Sequence, residues 1–299
     1  MFKHLLVPLD GSLMAESALP MAAGIAARTH AALTLVHVIE KDAPSEIHSE
    51  RHLVTAREAA LYLDEVSRRP VCAGLTVLTH VHEAEVRDVA RSITEHTAEL
   101  APDLVVMSTH GRGGARRLFS GTMAQQVISL GATPVLLVWP EHPGDNRESW
   151  RLILAPVDGD PSHEKGLPIA ADLAAVFRCT LHLLMVTPNI GELTGSAKLT
   201  STLLPGATRL KLEMESAEAQ EYLQRLAQLY GKKGISAGTE TSRGDPARAI
   251  VRTARRLSAD LVVMGTHGRA GTDAFWEGSV AARVVSRARV PLLLVPLKE

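Results

Sequence analysis

The sequence has little of several features that define large classes of protein. Its two cysteines, Cys72 and Cys179, form no Cys-x-x-Cys or Cys/His spacing, so neither a disulfide framework nor a structural zinc site is expected. The formal net charge is only -1, without the positive excess that is typical of proteins binding nucleic acid or anionic membranes. No uncharged run approaches the ~20 residues of a membrane span. We therefore expect a cytoplasmic protein whose partners include neither nucleic acid nor a membrane.

The length and composition indicate two globular domains. The chain has 299 residues, of which 45% are hydrophobic and 22% are charged. A typical domain has roughly 150 residues, so each half is long enough to bury its own core.

The second half of the sequence repeats the first. Three segments recur in the same order: 6–11 at 154–159, 101–112 at 259–269, and 134–138 at 291–295. The offset grows from 148 residues at Asp10/Asp158 to 157 at Gly111/Gly268, so the second copy carries about nine extra residues. We place them in the stretch 191–206, whose Gly, Ser, Thr and Pro content predicts a loop. The predicted domains are residues 1–140 and 150–299, with a polar linker at 141–148.

Each half alternates short apolar runs with helical patterns. Continuous apolar runs are typical of parallel strands covered by helices on both faces, which predicts an α/β fold with two tandem doubly wound parallel sheets. The predicted strands are 3–9, 32–39, 74–81, 103–108 and 134–139 in the first half, and 151–157, 179–187, 235–241, 260–265 and 291–296 in the second. The predicted helices of the first half are 12–29, 50–69, 84–99 and 121–131.

Glycine and hydroxyl residues follow the fourth strand of each half with the same spacing. The second half has Gly265-Thr266-His267-Gly268, nine further residues, and then Gly278-Ser279; the first half has Ser108-Thr109-His110-Gly111 and then Gly121-Thr122. Glycines let the backbone approach an anion, and a hydroxyl at a helix start lies beside unpaired N–H donors. The pattern therefore indicates a phosphate site, although glycines at such a position also serve simply to turn the chain. Ligands of open α/β sheets bind at these carboxyl ends of the strands.

This pattern resembles the ATP-binding signature of the UspA-type universal stress protein family. The resemblance rests on Gly-x-x-Gly-x9-Gly-Ser, on a first strand that ends in Pro-x-Asp, and on a last strand of the form Pro-Leu-Leu-Leu-Val-Pro. It implies five strands in the order 3-2-1-4-5, the Rossmann-like fold of the adenine nucleotide alpha hydrolases. It also implies ATP as the ligand, together with magnesium.

The same resemblance implies which residues bind the nucleotide. Asp158 would meet the ribose or a magnesium ion, Val186 would lie near the adenine, and the glycines and Ser279 would hold the phosphates. Asp158 and Asp10 are equally consistent with helix N-caps, because Asp before a helical run is a common capping signal. The implied binding residues of the second half are Pro156, Val157, Asp158, Val186, Gly265, His267, Gly268, Arg269, Gly278, Ser279 and Val280. Those of the first half are Pro8, Leu9, Asp10, Ser12, Val38, Ser108, Gly111, Gly121 and Thr122.

The first half departs from the family pattern at two places. Ser108 replaces the first glycine of the motif, and His82-Glu83-Ala84-Glu85 stands where the second half keeps the family's turn, Gly244-Asp245-Pro246-Ala247. These departures predict a degenerate nucleotide site in the first half and binding mainly in the second.

Three functions fit the sequence. The first is an ATP-binding regulator of the stress response, the second is a slow ATPase or phosphotransferase, and the third is a nucleotide-free assembly or signalling module. No nucleophile or Walker motif is present, so no catalytic residues are predicted. The apolar segments 134–138 and 291–295 are expected to pair, which would join the two domains as an intramolecular pseudo-dimer; a homodimer of two chains is a further possibility.

Overall fold

The computed structural model describes residues 1–43, 46–47, 50–51, 53–109, 123–140, 149–193, 195–266 and 279–297. The chain divides into two compact units. One comprises Met1–Glu148, Thr266–Phe275 and Pro291–Glu299, and the other comprises Ser149–Gly265 and Trp276–Val290.

The first unit alternates strands and helices, as predicted. Its strands are β1 (His4–Pro8), β2 (Ala32–Glu40), β3 (Glu46–Ile47), β4 (Glu50–Arg51), β5 (Val77–Val86), β6 (Leu104–Ser108) and β7 (Val135–Val138). Its helices are α1 (Leu13–Glu16), α2 (Leu19–Thr29), α3 (Ala56–Ser67), α4 (Val89–Leu100) and α5 (Met123–Leu130).

Five strands of this unit form a parallel sheet in the order β5-β2-β1-β6-β7. Numbered by their order in the first half, this is 3-2-1-4-5, so the predicted strand order is confirmed. The chain reverses direction across the sheet between β1 and β6, and their carboxyl ends lie side by side. Leu5, Leu6 and Val7 of β1 are completely buried, because helices cover both faces of the central strands.

The second unit has the same plan. Its strands are β8 (Leu152–Val157), β9 (Thr180–Thr187), β10 (Ala237–Arg243) and β11 (Leu261–Thr266). Its helices are α6 (Gly166–Phe177), α7 (Gly195–Leu203), α8 (Pro205–Gly231), α9 (Pro246–Arg256) and α10 (Val280–Val285). Strands β10, β9, β8 and β11 follow one another in that order with parallel pairing, which repeats the 3-2-1-4 part of the predicted order.

The last strand of the sequence, β12 (Leu292–Pro296), belongs to the first unit and pairs antiparallel with β7. The predicted pairing of these two segments is therefore confirmed. Leu292, Leu293 and Leu294 lie opposite Leu137, Leu136 and Val135, and all six side chains are at most 1% exposed. The pair thus buries an edge of β7 that would otherwise be open to another chain.

Four sequence predictions were wrong in detail. The predicted helix 50–69 begins only at Ala56, because residues 50–51 form the short strand β4. The stretch 191–206 is largely helical rather than a loop, since it contains α7 and the start of α8, where Pro205 occupies a favourable first position. The predicted helix 12–29 is interrupted between α1 and α2. Strand β5 runs on to Val86, so helix α4 begins at Val89 and not near residue 84.

The shift at β5 changes the comparison of the two halves. Asp88 caps α4 and accepts a hydrogen bond from the amide of Arg91, as Asp245 caps α9 and accepts one from the amide of Arg248. The first-half counterpart of the turn Gly244–Ala247 is therefore the segment 87–90, which keeps the Asp and the Ala, and not 82–85. The departure at this turn is therefore smaller than predicted, since the capping Asp is kept while Arg87 and Val89 replace the Gly and the Pro.

Within the described ranges, no helix combines the length and apolar character that crossing a membrane requires.

Candidate nucleotide sites

A cavity of about 250 Å³ opens at the carboxyl ends of β1, β2 and β6 in the first unit. This is the position where ligands bind in open α/β sheets. Its described lining is mostly apolar and includes three methionines. The lining residues are Pro8, Leu9, Asp10, Met14, Ala15, Val36, His37, Val38, Glu40, Val89, Ile93, Met107, Ser108 and Met123.

The structure brings together five of the residues that the family resemblance implies for the first half. Pro8, Leu9, Asp10, Val38 and Ser108 all line this cavity. Gly111, Gly121 and Thr122 lie outside the described residues, so their predicted role in phosphate binding stays a prediction. The cavity thus lies where the carboxyl ends of β1, β2 and β6 meet, although these strands are far apart in the sequence.

Asp10 is held in place by the turn that follows β1. Its Oδ1 accepts hydrogen bonds from the backbone amide and the hydroxyl of Ser12, at 2.9 and 2.6 Å. Ser12 is 2% exposed and caps α1, since its Oγ accepts from the amide of Ala15 at 3.1 Å. Gly11 between them has φ +94°, a conformation that favours glycine. Ser12, and not Asp10, is therefore the cap of α1, and Asp10 contributes a carboxylate to the cavity wall.

The charge on the described wall is negative. Asp10 and Glu40 carry carboxylates, and among the described lining residues none is Lys or Arg. His37 is 2% exposed, and its Nδ1 donates to the carbonyl of Leu9 at 2.7 Å. These residues suit the base and sugar of a nucleotide better than a polyphosphate, which needs cations or free amides.

A cluster of three histidines lies next to this cavity. His80 and His82 on β5 are the register partners of the cavity-lining Val36 and Val38 on β2. His96 on α4 has its Nε2 3.0 Å from His82 Nδ1 and its Nδ1 3.0 Å from Glu99 Oε2. Since Glu99 can only accept there, His96 donates to Glu99 and accepts from His82.

His80 packs edge-on against His96 with ring centroids 4.6 Å apart. Burial and the neighbouring His96 lower the pKa of His80, against a weaker opposite effect of Glu99. Its Nε2 is buried and has no described hydrogen-bond partner. A proton carried by Nε2 therefore has no acceptor among the described residues.

The second unit places the corresponding residues at the ends of its own strands. Pro156 and Val157 end β8, and Val186 lies near the end of β9. Asp158 follows β8 and is mostly exposed, with 57% of its side chain accessible. Its Oδ2 accepts a hydrogen bond from His163 Nδ1 at 2.6 Å, and its Oδ1 accepts one from the amide of Asp160 at 3.0 Å. The hydrogen bond to Asp158 raises the pKa of His163.

The motif that follows β11 is described only at its two ends. Gly265 and Thr266 close β11, and Ser279 caps α10 by accepting from the amide of Ala282 at 3.1 Å. Val280 is the first residue of that helix. The remaining motif residues, His267, Gly268, Arg269 and Gly278, lie outside the described part of the chain. The predicted cap at Ser279 is confirmed, while its contact with a phosphate stays a prediction.

Asp245 ties the start of α9 to α10. Its carboxylate pairs with Arg283 and lies 3.5 Å from Nη1 of Arg287, besides capping α9 through the amide of Arg248. Burial alone would raise the pKa of Asp245, but the Arg248 amide and the two guanidiniums hold it below its usual value. The pair connects the family's Gly-x-Pro-Ala turn to the helix that begins at Ser279.

Among the described residues around Asp158, no cluster of side chains is arranged to bind a magnesium ion directly. Both carboxylate oxygens already accept hydrogen bonds from N–H donors. Across the residues that the structure describes, no group of three or more His, Cys, Asp or Glu side chains is arranged to hold a metal ion. Magnesium favours oxygen ligands and retained waters, so the nucleotide's own phosphates would have to hold it.

Sequence reasoning missed a tyrosine–glutamate pair that occurs in both halves. Tyr62 on α3 donates to Glu16 at 2.9 Å, and Tyr222 on α8 donates to Glu164 at 2.7 Å. Glu16 also pairs with Arg69 at 2.6 Å. The repeat offset of 148 residues relates Glu16 to Glu164 and would have revealed the two glutamates. Sequence reasoning also missed His37 and His163, which no motif marks.

Comparison with known proteins matches both halves of the chain to one family. The model of the "Universal stress protein family" matches residues 1–138 and again residues 149–296. A universal stress protein of Mycolicibacterium smegmatis is 26% identical over 97% of this chain and 96% of its own length. One of Methanocaldococcus jannaschii is 33% identical over 50% of this chain and 85% of its own length. The crystal structure of a universal stress protein from Archaeoglobus fulgidus shares the fold, with a TM-score of 0.69, 17% identity, and coverage of 98% of this chain and 96% of that one.

Proposed function

Because family matches span both halves, the chain belongs to the universal stress protein family, and from this premise we propose that it binds ATP and acts as a nucleotide-dependent regulator of the stress response in the cytoplasm. Occupancy of the sites would set the conformation or the association of the protein. The observation that carries the proposal is the first-half cavity, whose lining includes Pro8, Leu9, Asp10, Val38 and Ser108.

The proposal assigns different parts of the nucleotide to different elements. The apolar wall from Val36, Val38 and Ile93 would take the adenine, and the carboxylate of Asp10 would take the ribose. The glycine motif would take the phosphates through backbone amides at the start of α5 or α10. Any magnesium would be bound through those phosphates.

We propose binding in both halves. The second half carries the complete glycine motif, which favours it as the stronger site. The first half has the described cavity, and its capping Asp88 matches Asp245, although it departs from the pattern at Ser108, at Arg87 and Val89 of the turn, and at Thr122. The hydroxyl of Ser108 does not close the cavity, because Ser108 is itself part of the wall.

Calorimetric titration of the full chain with ATP, ADP and cyclic AMP tests the proposal. Wild type is expected to bind ATP at two sites. Val38→Trp, which fills the first-half cavity, should remove one of them, and Val186→Trp should remove the other. Leu13→Ala is the matched control, since Leu13 lies beside the site but is 70% exposed and absent from the cavity lining.

Circular dichroism melting identifies any variant that fails to fold. If wild type binds no adenine nucleotide up to millimolar concentration, the nucleotide proposal is wrong and a nucleotide-free assembly module is left. Two-site binding that persists in both tryptophan variants would place the ligand elsewhere.

A further inference from the structure

The turns after β1 and β8 match residue by residue. Asp10 and Asp158 follow the strands, and Gly11 and Gly159 have φ +94° and +85°. Ser12 and Asp160 are both caps of the next helical turn, and Glu16 and Glu164 both accept from a tyrosine. The segments 10–16 and 158–164 are therefore equivalent without a gap, which makes His163 the counterpart of Ala15.

These two equivalent positions carry very different side chains. Ala15 lines the first-half cavity, so a methyl group is all that this position contributes there. In the second half the position carries an imidazole, whose Nδ1 lies 2.6 Å from Asp158 Oδ2 and whose Nε2 lies 3.9 Å from Asp160 Oδ2. His163 thus brings an N–H donor to Asp158, the aspartate that follows β8.

The two aspartates differ in what they can still accept. Asp10 uses one oxygen, Oδ1, for both bonds from Ser12, and no described residue donates to its Oδ2. Asp158 uses Oδ1 for the Asp160 amide and Oδ2 for His163. Asp10 Oδ2 thus has no donor among the described residues, whereas each oxygen of Asp158 already accepts one hydrogen bond.

We propose that His163 is a specificity-determining residue that removes ribose recognition from the second half, while Ala15 leaves it intact in the first. The inference rests on the proposed function, because it names which part of the nucleotide each half recognises. The first half discriminates between ribose and deoxyribose through Asp10. The second half binds the nucleotide through its other contacts and accepts both sugars.

The expected discrimination follows from the strength of hydrogen bonds to charged groups. A ribose hydroxyl donates a charge-assisted hydrogen bond to a free carboxylate oxygen, and a dideoxyribose cannot. Loss of such a bond weakens binding by roughly tenfold to a hundredfold. At Asp158 a hydroxyl would compete for Oδ2 with the imidazole that lies 2.6 Å from it, so the net gain is expected to be smaller than at Asp10.

Photolabelling of the full chain measures each half separately. The protein is labelled with 8-azido-ATP, and the labelled peptides are assigned to residues 1–140 or 150–299 by mass spectrometry. ATP and 2′,3′-dideoxy-ATP then compete with the label. In wild type, dideoxy-ATP should protect the first half at least tenfold less well than ATP, and should protect the second half equally well.

Reciprocal substitutions test the role of the residue itself. His163→Ala should create the tenfold difference in the second half, and Ala15→His should abolish it in the first. His163→Asn keeps an N–H donor near Asp158 and should leave the second half indifferent to the sugar. His163 lies on a partly exposed turn, so these changes are expected to leave the fold intact.

The outcomes separate this inference from the proposed function. Labelling that ATP competes away, with equal sugar discrimination in both halves of wild type or with no change in either reciprocal variant, overturns the role of His163 alone. Labelling of neither half overturns nucleotide binding and this inference with it.

Discussion

Leu136 on β7 lies directly opposite Leu293 on β12, and both side chains are at most 1% exposed. More than 150 residues separate them in the sequence. Their contact closes the edge of the first unit with a strand from the far end of the chain.

Truncation of this pair should reveal an energetic coupling. Leu136→Ala and Leu293→Ala should each lower the free energy of unfolding by about 2–5 kcal/mol, because each leaves a cavity in a closed core. The loss in the double variant should be about 0.5–3 kcal/mol smaller than the sum of the two single losses. Urea denaturation followed by circular dichroism measures the cycle.

Leu33→Ala combined with Leu136→Ala is the matched control. Leu33 is equally buried but lies on β2, separated from β7 by two strands, so these two losses should add. Additive losses at Leu136 and Leu293 would show that β7 and β12 do not contact each other in solution.

Removal of the Tyr62 hydroxyl should destabilise the first unit. Tyr62→Phe leaves Glu16 without one of its two partners and should cost about 1.5–3 kcal/mol, the range for a hydrogen bond to a charged group. Burial raises the pKa of Tyr62, with a further contribution from Glu16, so the phenol stays protonated as the donor. The unfolding midpoint in urea is the measurement.

Tyr222→Phe is the counterpart in the second half. Burial also raises the pKa of its partner Glu164, for which no arginine is found among the described residues. Because the raised pKa weakens the charge that Glu164 offers to the tyrosine hydroxyl, the loss should be smaller. A larger loss for Tyr222→Phe than for Tyr62→Phe would contradict this comparison.

The ion pairs of Asp245 should contribute stability that acid removes. Asp245→Asn keeps the cap of α9 but removes the pairing with Arg283 and Arg287, and should cost about 1 kcal/mol at pH 7, since these arginines are partly exposed. The pKa of Asp245 is lowered in the folded protein, so its contribution is complete above the ordinary aspartate pKa and disappears as the pH falls through the lowered value.

Asp88→Asn provides the control for this variant. Asp88 caps α4 in the same way, but Arg91, which lies 3.7 Å from its carboxylate, is 67% exposed. Asp88→Asn should therefore lower the free energy of unfolding by only a few tenths of a kcal/mol. Thermal melts of wild type and both variants are measured between pH 7 and pH 3. The difference in melting temperature between wild type and Asp245→Asn should shrink in acid.

The histidine cluster should make the first unit sensitive to mild acid. The pKa of His80 is lowered in the folded state, so below the ordinary histidine pKa the unfolded chain binds more protons than the folded one. Stability is therefore full above about pH 6.5 and falls as the pH drops below it. Urea midpoints at pH 7.5 and 5.5 measure the loss.

His80→Gln should reduce this pH dependence, because glutamine does not titrate. His30→Asn is the matched control, since His30 is exposed and lies in the left-handed region that asparagine tolerates. Equal pH dependence in His80→Gln and wild type would mean that another group is responsible.

The sequence predicted the central strands well and the edge strands poorly. Strands β1 and β6 are short apolar runs buried on both faces, and their predicted bounds agree with the structure to within a residue. Strand β5 lies at the edge of its sheet, and the polar residues of its second half obscure the apolar pattern. That ambiguity led to the wrong position for the turn before α4.

The position of the site followed from topology, but its details did not. Asp10 and Ser108 were expected together because strands whose order reverses bring their carboxyl ends to one crevice, whereas Pro8 and Val38 were implied by the family resemblance. The bond between His163 and Asp158 depends on the geometry of a short 3-10 turn, which apolar periodicity does not encode. Comparison of the two copies would still have drawn attention to His163, because Ala15 is so much smaller.

The pairing of β7 with β12 also has a consequence during protein synthesis. When the first half has left the ribosome, β12 has not yet been translated, and at 5–20 residues per second the intervening stretch takes on the order of ten seconds. Throughout that interval β7 presents an apolar edge that a neighbouring nascent chain can occupy. Dense polysomes are therefore the setting in which strand-exchanged assemblies of this protein would form.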